Sequence, residues 1–190
     1  CTCDPKIYGV AVSLRYEAGR LVRAVTRGDG VRGDDITAQV KRIQDVPVLL
    51  GHSPPAILEV RGELFMPNSI FEQVNAQREA AGDPLFANSR NLTAGTLKSL
   101  DTGIVAKRKL SFLAHGRGEV NGLVADGYAE FQQALSSLGI PISPLMRSTC
   151  DIDELISWIE QFASERDSLG FGVDGMVVRI DTFAVQAKLG

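Results

Sequence analysis

Val10, Val12, Leu14 and Tyr16 alternate with Ala11, Ser13 and Arg15, and a second strand-like run follows over residues 20–26, after the short turn Glu17-Ala18-Gly19-Arg20. A period of two on both sides of a tight connection specifies a β-hairpin with one face buried. The pattern returns at residues 56–66, where Leu58, Val60, Leu64 and Met66 share one face around Gly62. Glu59, Arg61 and Glu63 fall on the other face with Ile57 and Phe65. Three charges between apolar ends are either the floor of a polar cleft or a solvent-facing ladder of neutralising charges.

Helical patterns are interspersed without steady β-α alternation. A turn of helix is expected from Asp35, with Ile36, Val40 and Ile43 at helical spacing. Ser69 and Glu72 make a capping box for a helix that turns Phe71 and Val74 inward and stops at Gly82. Residues 88–100 read as loop then helix, leaving Arg90 and Lys98 exposed, and 109–115 as a strand. Two more helices are expected near 126–138, ended by Gly139, and over 151–166, marked by Ile152, Leu155, Ile156, Ile159 and Phe162. A last strand runs from Val173 to Ile180. This mixture predicts an α+β domain built on antiparallel sheets rather than a doubly wound parallel one. No G-x-G-x-x-G opens a helix and no Walker A loop exists, so neither phosphate-cradling device is in use.

The 190 residues suffice for one substantial domain or two small ones. No apolar run approaches the roughly 18 residues of a membrane span, and no basic segment leads into an apolar one. Cys1, Cys3 and Cys150 do not make a disulfide framework or a zinc site, which suits a reducing, cytoplasmic setting. A net charge of −3 is unlike a domain that grips nucleic acid unaided, so a DNA-binding role would be shared with other parts. The basic run Lys107-Arg108-Lys109 is either such a contact or a solvated strand end.

The chemistry-bearing feature is Asp4-Pro5-Lys6-Ile7-Tyr8-Gly9, just before the first alternating strand. Pro5 fixes the backbone beside Lys6, and Gly9 permits a close approach. Lys6 is there either a placed nucleophile or an ordinary surface charge. A glycine-rich loop follows the hairpin, Thr26-Arg27-Gly28-Asp29-Gly30 and Arg32-Gly33-Asp34-Asp35.

Six segments in order resemble the bacterial NAD-dependent DNA ligases: Lys6-Ile7-Tyr8-Gly9, Thr26–Gly30, Leu58-Glu59-Val60-Arg61-Gly62-Glu63, Phe86-Ala87-Asn88-Ser89-Arg90-Asn91, Leu100-Asp101 followed by Ala106-Lys107-Arg108, and Asp174-Gly175-Met176-Val177-Val178-Arg179. The likeness covers that family's adenylation domain almost end to end. It implies an antiparallel nucleotidyltransferase fold with flanking helices over residues 1–190. The nicotinamide-mononucleotide-binding domain, OB-fold, zinc finger and helix-hairpin-helix units then lie outside it. It also implies NAD as the adenylyl donor, Mg²⁺ as the metal, nicked double-stranded DNA as the partner, and a monomer.

In such ligases a lysine attacks the adenylyl phosphorus of NAD, AMP passes to the 5′-phosphate at a nick, and the 3′-hydroxyl then displaces it. The resemblance makes Lys6 the nucleophile. It sets Arg27 beside the nucleotide, Glu63 on the ribose and Arg90 near the pyrophosphate or nicotinamide side. Asp4 stands where a glutamate reads the adenine amino group, and His115 where a tyrosine stacks on the base. Ile7, Asp174, Val177 and Arg179 complete the nucleotide pocket. Tyr8 replaces the family's aspartate, Arg179 its lysine, and Lys98 an arginine. These departures leave an alternative in which a ligase-like module only binds nucleotide or nicked DNA. An ATP-dependent ligase or RNA-capping enzyme is a third reading. Thr26–Gly30 and Phe86–Asn91 favour the NAD-dependent branch over it.

Overall fold

The computed structural model describes residues 1–28 and 32–189; Asp29 and Gly30 of the glycine-rich loop, with Val31 and Gly190, lie outside them. The strands are β1 (Thr2–Ile7), β2 (Val10–Glu17), β3 (Arg20–Thr26), β4 (Ile57–Phe65), β5 (Ser111–Asn121), β6 (Arg147–Ser148) and β7 (Val173–Arg179). The helices are α1 (Thr37–Val40), α2 (Asn68–Ala80), α3 (Ser89–Leu97), α4 (Thr102–Lys107), α5 (Tyr128–Ser137), α6 (Ile152–Glu165) and α7 (Phe183–Leu189). They frame a four-stranded sheet, β3-β2-β4-β5, and a three-stranded one, β6-β1-β7. Every strand pair is antiparallel, so the expected α+β class holds.

Alternation dictates the core. Leu14 and Tyr16 of β2, Leu58, Val60 and Leu64 of β4, and Phe112 of β5 are buried on one face of the larger sheet. Leu92 and Leu97 of α3 and Phe131 and Leu135 of α5 join the same cluster. Gly62 is needed in the middle of it: a Cβ there would run into the Phe112 ring and the Leu113 carbonyl. The β2–β3 turn uses Ala18 (φ 46°) and Gly19 (φ 77°), the twist that suits a two-residue hairpin.

Several expectations shift. Helix α2 begins at Asn68 with no side-chain cap, so the Ser69–Glu72 capping box does not form. The chain enters helix earlier, and the Asn68 N–H is taken by the Gly170 carbonyl at 2.8 Å. The strand expected at 109–115 starts at Ser111 and runs on to Asn121, because Lys109 sits at φ 42°. Of the apolar residues that mark α6 only Leu155 is buried; Ile152, Ile156 and Ile159 face outward. The short helices α4 and α7 and the strands β1 and β6 carry no period long enough to read.

Candidate active site

The site begins at a proline in a strand. β6 pairs only with Thr2 and Cys3, so further along β1 has a free side there and the missing N–H of Pro5 leaves no gap in a ladder. On the other side Pro5 faces Met176 and Ile7 faces Val173. Lys6 therefore stands against two residues of β7, Asp174 and Gly175. Gly175 takes φ 123°, which a side chain strongly resists. This bulge brings the Asp174 carboxylate to Lys6, whose Nζ donates to Oδ2 at 3.1 Å. Their side chains are 58% and 60% exposed, so an incoming ligand can reach both.

Asp4, two residues earlier on β1, is buried and faces Val177 in register. The Tyr128 hydroxyl of α5 donates to its Oδ2 at 2.7 Å. Its Oδ1 is buried with no partner. Burial raises the Asp4 pKa, opposed by the Tyr128 and Ser143 hydroxyls and by the charges of Arg179 and His115. Burial also lifts the Tyr128 hydroxyl well above its usual range, followed by the effect of the Asp4 charge, so it remains a donor. The Arg179 guanidinium lies 3.9 Å over the Tyr128 ring, and its Nη1 donates to the His115 carbonyl at 2.8 Å.

A second bulge brings in the larger sheet. Gly62 pairs with Ala114 and Arg61 with Gly116, so His115 is the extra residue of β5. Its Nε2 lies 3.5 Å from Oε2 of Glu63, whose side chain is only 13% exposed. Glu63 pairs with Ala11, and the Ala11 carbonyl accepts from the Arg27 N–H at 2.9 Å. The charged face of β4 is thus divided. At the far end Ser13 donates to Glu59 at 2.7 Å while Arg15 pairs with Glu17 and Glu119, a neutralising ladder. At the near end Glu63 belongs to the candidate site.

Arg27 and Arg90 lie elsewhere. With Lys98, Asp34 and Asp35 they line a cavity of about 750 Å³ that Lys6, Asp4, Glu63, His115, Asp174 and Arg179 do not line. The Asp35 carboxyl is held below its usual range by hydrogen bonds from Thr37. The expected residues therefore fall into two groups. One is the cluster along β1 and β7, with His115 and Glu63 beside it. The other is a cationic cavity on the far side of Ala11. Ile7 and Val177 are half-buried on the first group's strands.

Tyr8 connects the groups. Its N–H donates to the Gly172 carbonyl at 2.9 Å, and the Arg90 guanidinium lies 5.6 Å from its ring centre. Gly9 does permit a close approach, but what approaches is the chain's own β4, through the Leu64 carbonyl. Tyr128 escaped the sequence reading as a site residue. It occupies an ordinary apolar position of an amphipathic helix, and nothing local marks its hydroxyl as the partner of Asp4.

The buried, unpartnered acceptor at Asp4 fits an amine-bearing base such as adenine. Among the described residues no group of three or more His, Cys, Asp and Glu side chains could hold a metal ion, so Mg²⁺ has no cage of protein ligands there.

The family model of the NAD-dependent DNA ligase adenylation domain matches residues 1–190. The chain is 41% identical over 189 residues to a DNA ligase of Geobacter metallireducens, covering 99% of the chain and 28% of that protein. It is 43% identical over 190 residues to a DNA ligase of Methylobacterium nodulans, covering 100% and 23%. For a DNA ligase of Zymomonas mobilis the figures are 43% over 191 residues, covering 100% and 26%. The chain thus spans about a quarter of the length of the curated relatives it matches. None of these matches supports a module that only binds.

Proposed function

We propose, for a chain that belongs to the family of NAD-dependent DNA ligase adenylation domains, that it takes an adenylyl group from NAD onto Lys6 and passes it on toward the sealing of nicked DNA. The observation that carries this reading is the pairing along β1. Lys6 Nζ sits 3.1 Å from Asp174, two residues from a buried carboxylate whose Oδ1 lacks a donor. An adenine amino group satisfies that oxygen and fixes the nucleotide with its phosphates toward Lys6.

A lysine amine attacks only once it has shed its proton, and the Asp174 carboxylate is the acceptor within reach. Lys6 Nζ then gives its lone pair to the adenylyl phosphorus. The bond from phosphorus to the nicotinamide mononucleotide oxygen breaks, and that oxygen leaves with the electron pair. Arg27, Arg90 and Lys98 supply positive charge for the phosphates in the neighbouring cavity. Glu63 and His115 border the ribose and base, with His115 offering an imidazole face in place of a phenol. Arg179, stacked on Tyr128, holds positive charge beside Asp4 and opposes the rise in its pKa that burial causes. Val177 and Ile7 give the base apolar walls. Mg²⁺ would accompany the phosphates rather than a protein cage.

The fold is then the nucleotidyltransferase kind, residues 1–190 form one adenylation domain, and the protein works as a monomer in the cytoplasm. No helix among the described residues is long and apolar enough to cross a membrane. Incubation of a longer protein that also carries the nicotinamide-mononucleotide-binding domain with NAD and Mg²⁺, followed by intact-mass measurement, tests the reading. One added adenylyl group, absent in Lys6→Arg, is expected. An unmodified mass under conditions that adenylate a standard ligase overturns it.

A further inference from the structure

Tyr128 opens α5 and is confined from several sides. Its N–H donates to the Asp181 carbonyl at 2.9 Å, and the next N–H, that of Ala129, donates to Asp181 Oδ1 at 2.8 Å. Asp181 lies two residues past the end of β7, so the strand that carries Arg179 also fixes the start of this helix. The Arg179 guanidinium lies 3.9 Å from the ring centre and is itself held by the His115 carbonyl at 2.8 Å. Tyr128 is 3% exposed. A ring locked at its backbone and across its face has one place for its hydroxyl.

That place is Oδ2 of Asp4, at 2.7 Å. Burial lifts the Tyr128 hydroxyl well above its usual range, so it donates rather than ionises. Burial raises the Asp4 pKa as well, and the hydrogen bond from Tyr128 is the foremost of the effects that oppose the rise. The two carboxylate oxygens are thereby made unequal. Oδ2 is taken by the protein, while Oδ1 is buried without a partner. An ionised carboxylate only accepts, whereas a protonated one also shows a hydroxyl that suits a carbonyl.

We propose that Tyr128 is a positioning residue that sets the base preference of the site. By claiming Oδ2 it leaves Oδ1 facing the base as an acceptor alone, so the site takes an amino group and refuses a carbonyl. This rests on the reading above, in which an adenylate lies along β1, and names how its base is told from others. The hydroxyl acts through Asp4 and need not touch the nucleotide.

Calorimetry on a longer protein that also carries the nicotinamide-mononucleotide-binding domain compares NAD with its hypoxanthine counterpart at neutral pH. The proteins are wild type, Tyr128→Phe, Asp4→Asn and the double variant Asp4→Asn/Tyr128→Phe. Tyr128→Phe keeps the ring under Arg179 and loses only the hydroxyl; urea unfolding checks that each variant is folded. In Tyr128→Phe the preference for NAD is expected to fall about three- to tenfold, the worth of one ordinary hydrogen bond. In the Asp4→Asn background the same change acts in the opposite direction. While the hydroxyl is present, the amide turns its oxygen toward it and its NH₂ toward the base, which favours hypoxanthine. Once the hydroxyl is gone the amide can turn either way, and the preference for hypoxanthine is expected to fall to near parity. A role in packing alone weakens both dinucleotides alike and leaves both preferences standing, and that result overturns the proposal. So does a hypoxanthine preference in Asp4→Asn that survives the added Tyr128→Phe. A wild type that binds both dinucleotides equally strikes the placement of the base at Asp4, and the proposal falls with it.

Discussion

Asp4→Asn tests the chemistry at one atom. In the wild type Oδ2 accepts from Tyr128 at 2.7 Å while Oδ1 is buried and unpaired. The amide of the variant keeps its oxygen toward Tyr128, since only the oxygen can accept that hydroxyl proton. Its NH₂ then occupies the place of Oδ1 and meets the amino group of adenine, donor against donor. A hydrogen bond to a charged acceptor is worth about 1.5–3 kcal/mol. At about 1.4 kcal/mol per decade, NAD binding should weaken by roughly 10- to 150-fold. A hypoxanthine dinucleotide presents a carbonyl at the same position and should gain a partner. Its affinity relative to NAD is therefore expected to reverse in the variant, as read by calorimetry at neutral pH. Equal losses for the two dinucleotides, or none, would refute the reasoning. The same variant has a pH signature. Burial raises the folded-state pKa of Asp4 above its ordinary value of 3.8. Its protonated form therefore favours the fold. That contribution is complete below the unfolded value and is lost as pH rises through the raised one. Tyr128, Ser143, Arg179 and His115 face this carboxyl and limit the rise. Asparagine does not titrate, so the fall in Tm above about pH 4 should flatten in the variant.

Tyr8→Leu removes the ring face under Arg90, a contact worth about 0.5–1 kcal/mol, and should weaken NAD binding two- to fivefold, whereas Tyr8→Phe should stay near wild type. If Phe and Leu behave alike, Tyr8 does not orient Arg90. Gly175→Ala forces a side chain onto φ 123° and should cost about 1–3 kcal/mol in urea unfolding. It should also slow adenylation by drawing Asp174 from Lys6; a slowed rate at unchanged stability, or the reverse, breaks that coupling. Ala18→Asn puts a residue that tolerates left-handed backbone at φ 46° and should stabilise by about 0.5–1 kcal/mol, seen as a Tm rise of a few degrees. A lower Tm argues against the turn geometry.

How much of each strand is legible in the chain follows from how it declares itself. β2, β3 and β4 alternate over seven to nine residues, so parity alone separates their buried face from their polar one. β1 offers no such signal, since Thr2, Cys3, Asp4 and Pro5 are all buried. A strand containing a buried aspartate and a proline resembles a turn until its partners are known. Parity also fails at a bulge, where two residues oppose one and the side chain's aim is set by the distortion. The bulge of β5 and the bulge of β7 both fall at proposed site residues: His115 ahead of Gly116, and Asp174 ahead of Gly175. The glycines are visible in the chain, but whether a strand glycine marks a bulge, a close packing contact as at Gly62, or neither depends on the strand opposite. The identity of these residues could be recovered by likeness to a family, while their aim at Lys6 and Glu63 depends on pairings that join residues 6 with 174 and 63 with 115. Local pattern holds no record of partners so distant, which is why the chemistry of this site was readable as a set of residues before it was readable as a geometry.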